Sequence, residues 1–368
     1  MKISEIHVYI VDLPVLNGPY TSSDGDIHGV SSTIVEVVCD NGLIGYGECC
    51  PVGPTYAAEH AMGARAALAE MAPSLIGENP LNRHCVHANL DQHLHGHHYA
   101  KAAIDIALWD LAGKKYGARV CDLLGGAQTE EVISYYTTGL VSPDEAVRIA
   151  VEKRDQGFER LQIKVGNRPI QIDIETIRKV WEAVGSDMRL AADANRSWTT
   201  RDTLFASSAL QGVAVAFEQP CDTLSEIVAI RNQVQHPIYL DECTTDLSIV
   251  TAAAGSGICD GFGLKLTRLG GISGIKTARD ICKARKLPHT CDDAWGGDIL
   301  AAACLHVGST VDPKLNEGVW IAAPYIDGHY DEKNGPRLSN GKITLPTGTG
   351  LGIQLEPGRF GAPAASYG

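Results

Sequence analysis

No stretch of the 368 residues approaches the ~20 consecutive apolar residues that cross a bilayer. The start of the chain, Met1-Lys2-Ile3-Ser4-Glu5, mixes polar and apolar residues and carries no A-x-A cleavage site, so no export signal is read there. Cys-x-x-Cys pairs are missing, which removes the usual zinc-finger and ribbon spacings. The 11 cysteines are scattered and odd in number, a pattern that fits a reduced, cytoplasmic protein. Positive charge is also scarce. With 31 Lys and Arg against 44 Asp and Glu, the net charge of −13 argues against nucleic acid and against an anionic membrane as partners. An anionic small molecule would need a locally positive site.

What is present is an ordinary globular composition, 44% hydrophobic and 20% charged, on a chain too long for one typical core. The first third is not repetitive. Ile6, Val8 and Ile10 alternate with polar or amphipathic neighbours, as in a half-buried strand. Residues 33–39 and 43–48 flank Asp40-Asn41-Gly42, a hairpin signal. Residues 17–25 are too rich in turn formers for regular structure, whereas residues 100–116 place Ile104, Leu108 and Leu111 on one helix face ended by Gly117. From Val132 the pattern alternates strand and helix. A first strand is expected at 132–136, then a helix opened by Ser142-Pro143-Asp144-Glu145, a second strand at 161–165, and a helix at 172–184 closed by Gly185. Eight strands can be counted. The expected fold is therefore α/β: a modified (β/α) barrel at 127–324, with an α+β capping domain at 1–126 to which the tail, 325–368, returns.

Lys164, Asp193, Glu218, Asp241 and Lys265 each end a short apolar run, and they follow one another at intervals of 23 to 29 residues. That interval is one strand plus one helix of a barrel whose eight units fill ~250 residues, and barrel enzymes place their reacting groups at the C-terminal ends of the strands. Taken singly, such a lysine is a solvated strand end and such an aspartate a helix cap. Five of these types in this order point to chemistry. Strands two and six stand opposite each other, so Lys164 and Lys265 would face a substrate from two sides. The three carboxylates between them suit Mg²⁺, which would acidify the α-carbon of a chelated carboxylate, while neighbouring cations lower a lysine pKa enough for it to act as base.

With these residues the chain resembles the enolase superfamily, specifically its muconate lactonizing enzyme subgroup. Residues 99–115 with Leu123-Leu-Gly-Gly126 are similar to that group's cap-to-barrel passage, and Asp193-Ala-Asn195, Glu218-Gln-Pro220, Asp241-Glu242 and Lys265 are similar to its metal and second-lysine motifs. The second strand departs from the usual Lys-x-Lys: it reads Gln162-Ile163-Lys164. The lost charge suits a substrate that carries its own cation.

Specificity is expected from residues 17–29 and from the stretch after Glu48, which contains Tyr56. From the barrel come Asp292, Asp293 and Trp295 after strand seven and Trp320 at the end of strand eight. A quaternary ammonium donates no hydrogen bond and is recognised by aromatic faces, so Tyr56, Trp295 and Trp320 are read as a cage. With Gln162, the run Cys291-Asp-Asp-Ala-Trp-Gly-Gly-Asp298 and Trp320-Ile-Ala-Ala-Pro-Tyr325, this set resembles the hydroxyproline betaine 2-epimerases of the subgroup. The resemblance implies Mg²⁺-dependent 1,1-proton transfer at C2 of proline betaine or 4-hydroxyproline betaine by a cytoplasmic homo-oligomer. Elimination from cis-3-hydroxyproline on the same apparatus stays open. So does dipeptide epimerisation, although no Asp-x-Asp follows strand eight. A silent binding barrel would not need two opposed bases. A metallohydrolase would want histidines, and the only candidates, His93, His95, His97 and His98, fall in the cap and are read as structural or surface groups.

Overall fold

In the computed structural model, which describes residues 1–22 and 25–368, the alternating run at the start forms the strand Ile3–Pro14. It pairs antiparallel with Gly29–Cys39, which turns through Gly42 (φ +81°) into Ile44–Cys49. Ala365–Tyr367 closes the other edge, giving a four-stranded sheet. The helix His98–Tyr116 lies hard against Ile44–Cys49. An added Cβ at Gly47 would stand 1.8 Å from the Ala103 carbonyl oxygen, so only glycine allows this approach. The helix ends as its sequence demands, on Gly117 in the left-handed region (φ +66°).

The barrel is built from the parallel strands Tyr136–Thr137, Arg160–Lys164, Arg189–Asp193, Val215–Glu218, Ile238–Leu240 and Gly261–Phe262, paired in that order. The seventh and eighth lines are reduced to single bridges. His289 lies beside Phe262 and Asn316, and Asp292 beside Lys265. Val319 N–H donates to the Ile133 carbonyl at 2.9 Å and closes the ring. The intervening helices start on side-chain caps, for example Ser142 before Pro143–Asp155 and Thr199 before Thr200–Ala209. Among the described residues no helix is long and apolar enough to cross a membrane.

One expectation changes. Residues 132–136 are not one strand: Glu131–Ile133 pairs antiparallel with Lys342–Thr344, and the barrel begins only at Tyr136–Thr137. The bend falls at Ser134, whose N–H donates to Gly341 O (2.8 Å) and whose hydroxyl donates to Val319 O (2.7 Å). The tail meets the cap at its start, where Ile326 bridges Val15 and Asp327 N–H donates to the Pro14 carbonyl at 3.2 Å. Leu338–Ser339 and Lys342–Thr344 then form a hairpin against the barrel entrance strand, and Ala365–Tyr367 joins the edge of the cap sheet.

Candidate active site

Barrel register sets the polar residues level with one another. Lys164 pairs with Asp193 and Asp193 with Glu218, so three neighbouring strands end on one row; Asp241 follows directly after the fifth strand, and Lys265 shortly after the sixth. A pocket opens over this row. Lys164, Asp193, Asp241, Lys265 and Gln162 line it from the barrel, and Tyr20, Ser22, Ile27, Val52 and Tyr56 from the cap. The room it leaves for water-sized molecules is about 70 Å³, so the pocket is narrow.

Each carboxylate of the row faces a cation, buried for Glu218 and Asp241 and half-buried for Asp193. Lys164 Nζ lies 2.5 Å from Asp193 Oδ2 and 2.9 Å from Asn195 Oδ1. Arg160 reaches Glu218 at 3.5 Å, and Asp241 takes Arg268 on one oxygen and Lys265 at 3.3 Å on the other. Burial works against the charge on both lysines, but Asp193 beside Lys164 and Asp241 beside Lys265 outweigh it and raise their pKa values. Glu218 is pushed up to about 7, first by burial and then by the charge of Asp193. Burial also presses Asp241 upward, yet Lys265 and Arg268 prevail and hold it below the ordinary range.

Hard oxygen donors crowded in this way fit a divalent cation. Among the described residues no three Asp, Glu, His or Cys side chains stand as a ready-made cluster, the His93 to His98 run included. Asp193 and Glu218 nevertheless end adjacent strands and Asp241 follows the next one, so three oxygen donors of the kind a hard divalent cation takes stand side by side. Gly263 leaves them room. A Cβ there would meet Glu218 Oε1 at 3.0 Å and Asp241 Cγ at 3.3 Å.

The other wall is aromatic. Trp295 meets Trp320 edge to face (5.8 Å, 78°), and Tyr20 from the cap meets Trp295 likewise (5.6 Å, 78°). Tyr325 stacks behind Trp320 (5.4 Å, 29°). Asp293 also lines the pocket, its carboxylate fixed by Thr267 N–H, Thr267 Oγ1 and Ala294 N–H. Gln162 accepts from Thr137 Oγ1 at 3.1 Å. Tyr56 belongs to the polar wall instead. Its hydroxyl accepts from Arg268 Nη2 (3.0 Å) and lies 3.5 Å from both Asp241 oxygens.

Asp292, expected to touch substrate, does not line the pocket. It is fully buried beneath it, accepting from Tyr135 Oη (2.8 Å) and Trp320 N–H (2.6 Å), with Lys265 Nζ 3.6 Å away. Glu218 also sits below the lining, 1% exposed. Tyr20, Arg268 and Gln219 are the residues that sequence reasoning did not single out. Gln219, at φ +35°, accepts from the N–H groups of Asp241 and Cys243 and braces the end of the fifth strand. Such a strained non-glycine conformation beside three carboxylates marks a functional loop.

Comparison with known proteins agrees with this geometry. Residues 5–125 match the family model of the mandelate racemase / muconate lactonizing enzyme N-terminal domain, and residues 145–359 match that of the enolase C-terminal domain-like family. The chain is 37% identical over 369 residues to cis-3-hydroxy-L-proline dehydratase of Roseibium aggregatum, covering 100% of both. A member of the enolase superfamily from Roseovarius nubinhibens, solved with magnesium, superposes with a TM-score of 0.94 at 30% identity, over 100% of this chain and 99% of that one. The dipeptide epimerase of Enterococcus faecalis, solved with Mg and the dipeptide L-Leu-L-Tyr, gives 0.88 at 30% identity over 96% and 99%.

Proposed function

The chain belongs to the enolase superfamily, within its mandelate racemase/muconate lactonizing enzyme group, and from that premise we propose a magnesium-dependent isomerase that moves a proton at C2 of a cyclic amino-acid betaine such as 4-hydroxyproline betaine or proline betaine. The observation that carries this reading is the arrival of two lysines in one pocket from strands two and six, on either side of the carboxylate row. One base suffices to exchange a proton; two opposed groups serve inversion.

Asp193, Glu218 and Asp241 would hold Mg²⁺, whose charge would let the substrate carboxylate accept the electron pair left at C2. With Asp193 and Asp241 given over to the cation, Lys164 would be released from Asp193, and Lys265 would keep Asp292 at 3.6 Å. One lysine in its neutral form takes the C2 proton as the C–H bond breaks. The other, as ammonium, gives its proton to C2 from the opposite face. Trp295, Trp320 and Tyr20 would supply ring faces to the cationic nitrogen, and the neutral Gln162 avoids repelling it. Asp292 holds Lys265 and the Trp320 backbone in place from below. In the same reading, residues 1–126 with 325–368 form the capping unit and 127–324 the barrel. The free cysteines suit a cytoplasmic setting for an enzyme that works as a homo-oligomer.

A second reading rests on the 37% identity over the full length to a cis-3-hydroxy-L-proline dehydratase. There one lysine removes the C2 proton and the other protonates the C3 hydroxyl as it leaves as water. NMR in D₂O with Mg²⁺ separates the two. Proline betaine and 4-hydroxyproline betaine should exchange the C2 proton and invert, whereas cis-3-hydroxyproline should show no loss of its hydroxyl. Elimination from cis-3-hydroxyproline without exchange in either betaine would replace the first reading by the second.

A further inference from the structure

Residues 51–60 of the cap cross the barrel mouth, and two arginines from barrel loops hold them there. Arg196, three residues after Asp193, donates from Nη2 to the Thr55 carbonyl at 2.8 Å. Arg268, three residues after Lys265, donates from Nη2 to the Tyr56 hydroxyl at 3.0 Å. The second tie does more than fasten the cap. The Nη1 of the same guanidinium donates to the backbone carbonyl of Asp241 at 2.8 Å and to its Oδ1. Arg268 is 8% exposed and has no room to swing into solvent. One rigid, planar group thus joins a cap hydroxyl to a carboxylate of the metal row.

We propose that Arg268 is a positioning residue that couples closure of the 51–60 segment to magnesium affinity, and that Tyr56 is its cap-side half. The proposal rests on the reading of Asp241 as a metal ligand. A ligating carboxylate needs one oxygen turned to the cation and the other held by an outer donor; loss of such a donor costs 10- to 100-fold in metal affinity in comparable sites. Arg268 supplies that donor on Oδ1 and fixes the carboxylate through the Asp241 backbone as well. Tyr56 keeps the guanidinium in its plane by accepting the remaining arm. Whatever the cap adds to metal binding, bound metal must return to the cap, because coupling between two equilibria is reciprocal.

The test uses the full chain and MgCl₂ alone, titrated calorimetrically, with amide hydrogen exchange of residues 51–60 measured with and without the metal. Arg268→Met should weaken Mg²⁺ binding about 10- to 100-fold. Tyr56→Phe, which removes the acceptor for Arg268 and the hydroxyl 3.5 Å from both Asp241 oxygens, should weaken it about 3-fold or more, and the slowing of exchange that Mg²⁺ brings to residues 51–60 should shrink by the same factor. Arg268→Lys keeps the charge but not the two-armed geometry and should fall between wild type and Arg268→Met. Equal affinity and unchanged exchange in Tyr56→Phe overturn the coupling. Tighter binding by Arg268→Met does so too, since it would make the guanidinium a rival of the cation. Asp241→Asn separates this failure from that of the metal reading: if it binds Mg²⁺ as wild type does, Asp241 is not a ligand and both ideas fall. Melting points taken without metal keep misfolded variants out of the comparison, and Tyr56→Phe remains decisive if Arg268→Met does not fold.

Discussion

On one side of the mouth the buried carboxylates Asp193, Glu218 and Asp241 each face a cation, and on the other Tyr20, Trp295, Trp320 and Tyr325 meet ring against ring. The first wall is directional. Remove one partner and a buried charge is left uncompensated, at a cost of ~3–5 kcal/mol. Aromatic packing is less exacting, because an edge-to-face pair adds only ~0.5–1.5 kcal/mol beyond its buried area. In the proposed reaction the polar wall would decide whether chemistry happens, and the aromatic wall on which molecule.

The largest effect should come from the lysines. Lys164→Ala and Lys265→Ala should each lower turnover by roughly 10²–10⁴-fold. Each should also abolish C2 exchange from one enantiomer in particular, read by NMR in D₂O. Two fully active variants would leave the polar wall without its role. Chelation comes next. EDTA should stop exchange of proline betaine and added Mg²⁺ should restore it, while quenching of tryptophan emission by the betaine persists if the aromatic wall binds on its own account.

Acid should loosen the aromatic side. His289 in the seventh strand and His306 in the helix Asp298–Gly308 are both pushed down to about 4 by burial, and the two elements flank the loop that carries Trp295. Each is neutral in the fold and takes up a proton more readily once unfolded. Their contribution is whole above the ordinary pKa near 6.5 and is lost as pH falls from there through 4, up to roughly 3 kcal/mol each. Urea midpoints at pH 7 and pH 5 should differ, with a smaller difference in His306→Gln. Identical midpoints would show that the two histidines do not govern acid stability.

The smallest effect isolates the cage. Trp320→Ala should weaken N,N-dimethyl substrates by ~0.5–2 kcal/mol more than free imino acids, measured as the ratio of KM values. Equal losses on both would take the cationic nitrogen off that wall.

The polar wall was also the legible one. Lys164, Asp193 and Glu218 recur with the strand–helix unit, so a regular interval in sequence becomes a row in space. Tyr20 and Arg268 carry no such signature. The partner of Arg268 in the cap is 212 residues away, and Tyr20 gains its meaning only against Trp295. A cation three residues after Lys265 was the available clue. Asp292 misled for a related reason: adjacent to Asp293 in sequence, it points into the opposite layer, where Tyr135 and the Trp320 backbone claim it. The run 132–136 reads as a single strand because its two halves share β-branched and aromatic composition, although one pairs with the tail and the other with the barrel.

Alanine at Gly263 would set one methyl group against two of the proposed metal ligands. The Gly263 backbone is compatible with any residue, so alanine there would bring no conformational strain, only a carbon lodged 3.0 Å from Glu218 Oε1 and 3.3 Å from Asp241 Cγ. Such a chain would keep its cap, both lysines and its aromatic wall, while Glu218 and Asp241 had to give way by a few tenths of an ångström. If those two carboxylates hold the metal, the residue at this position is the first to inspect when a relative binds its ligand but does not turn it over.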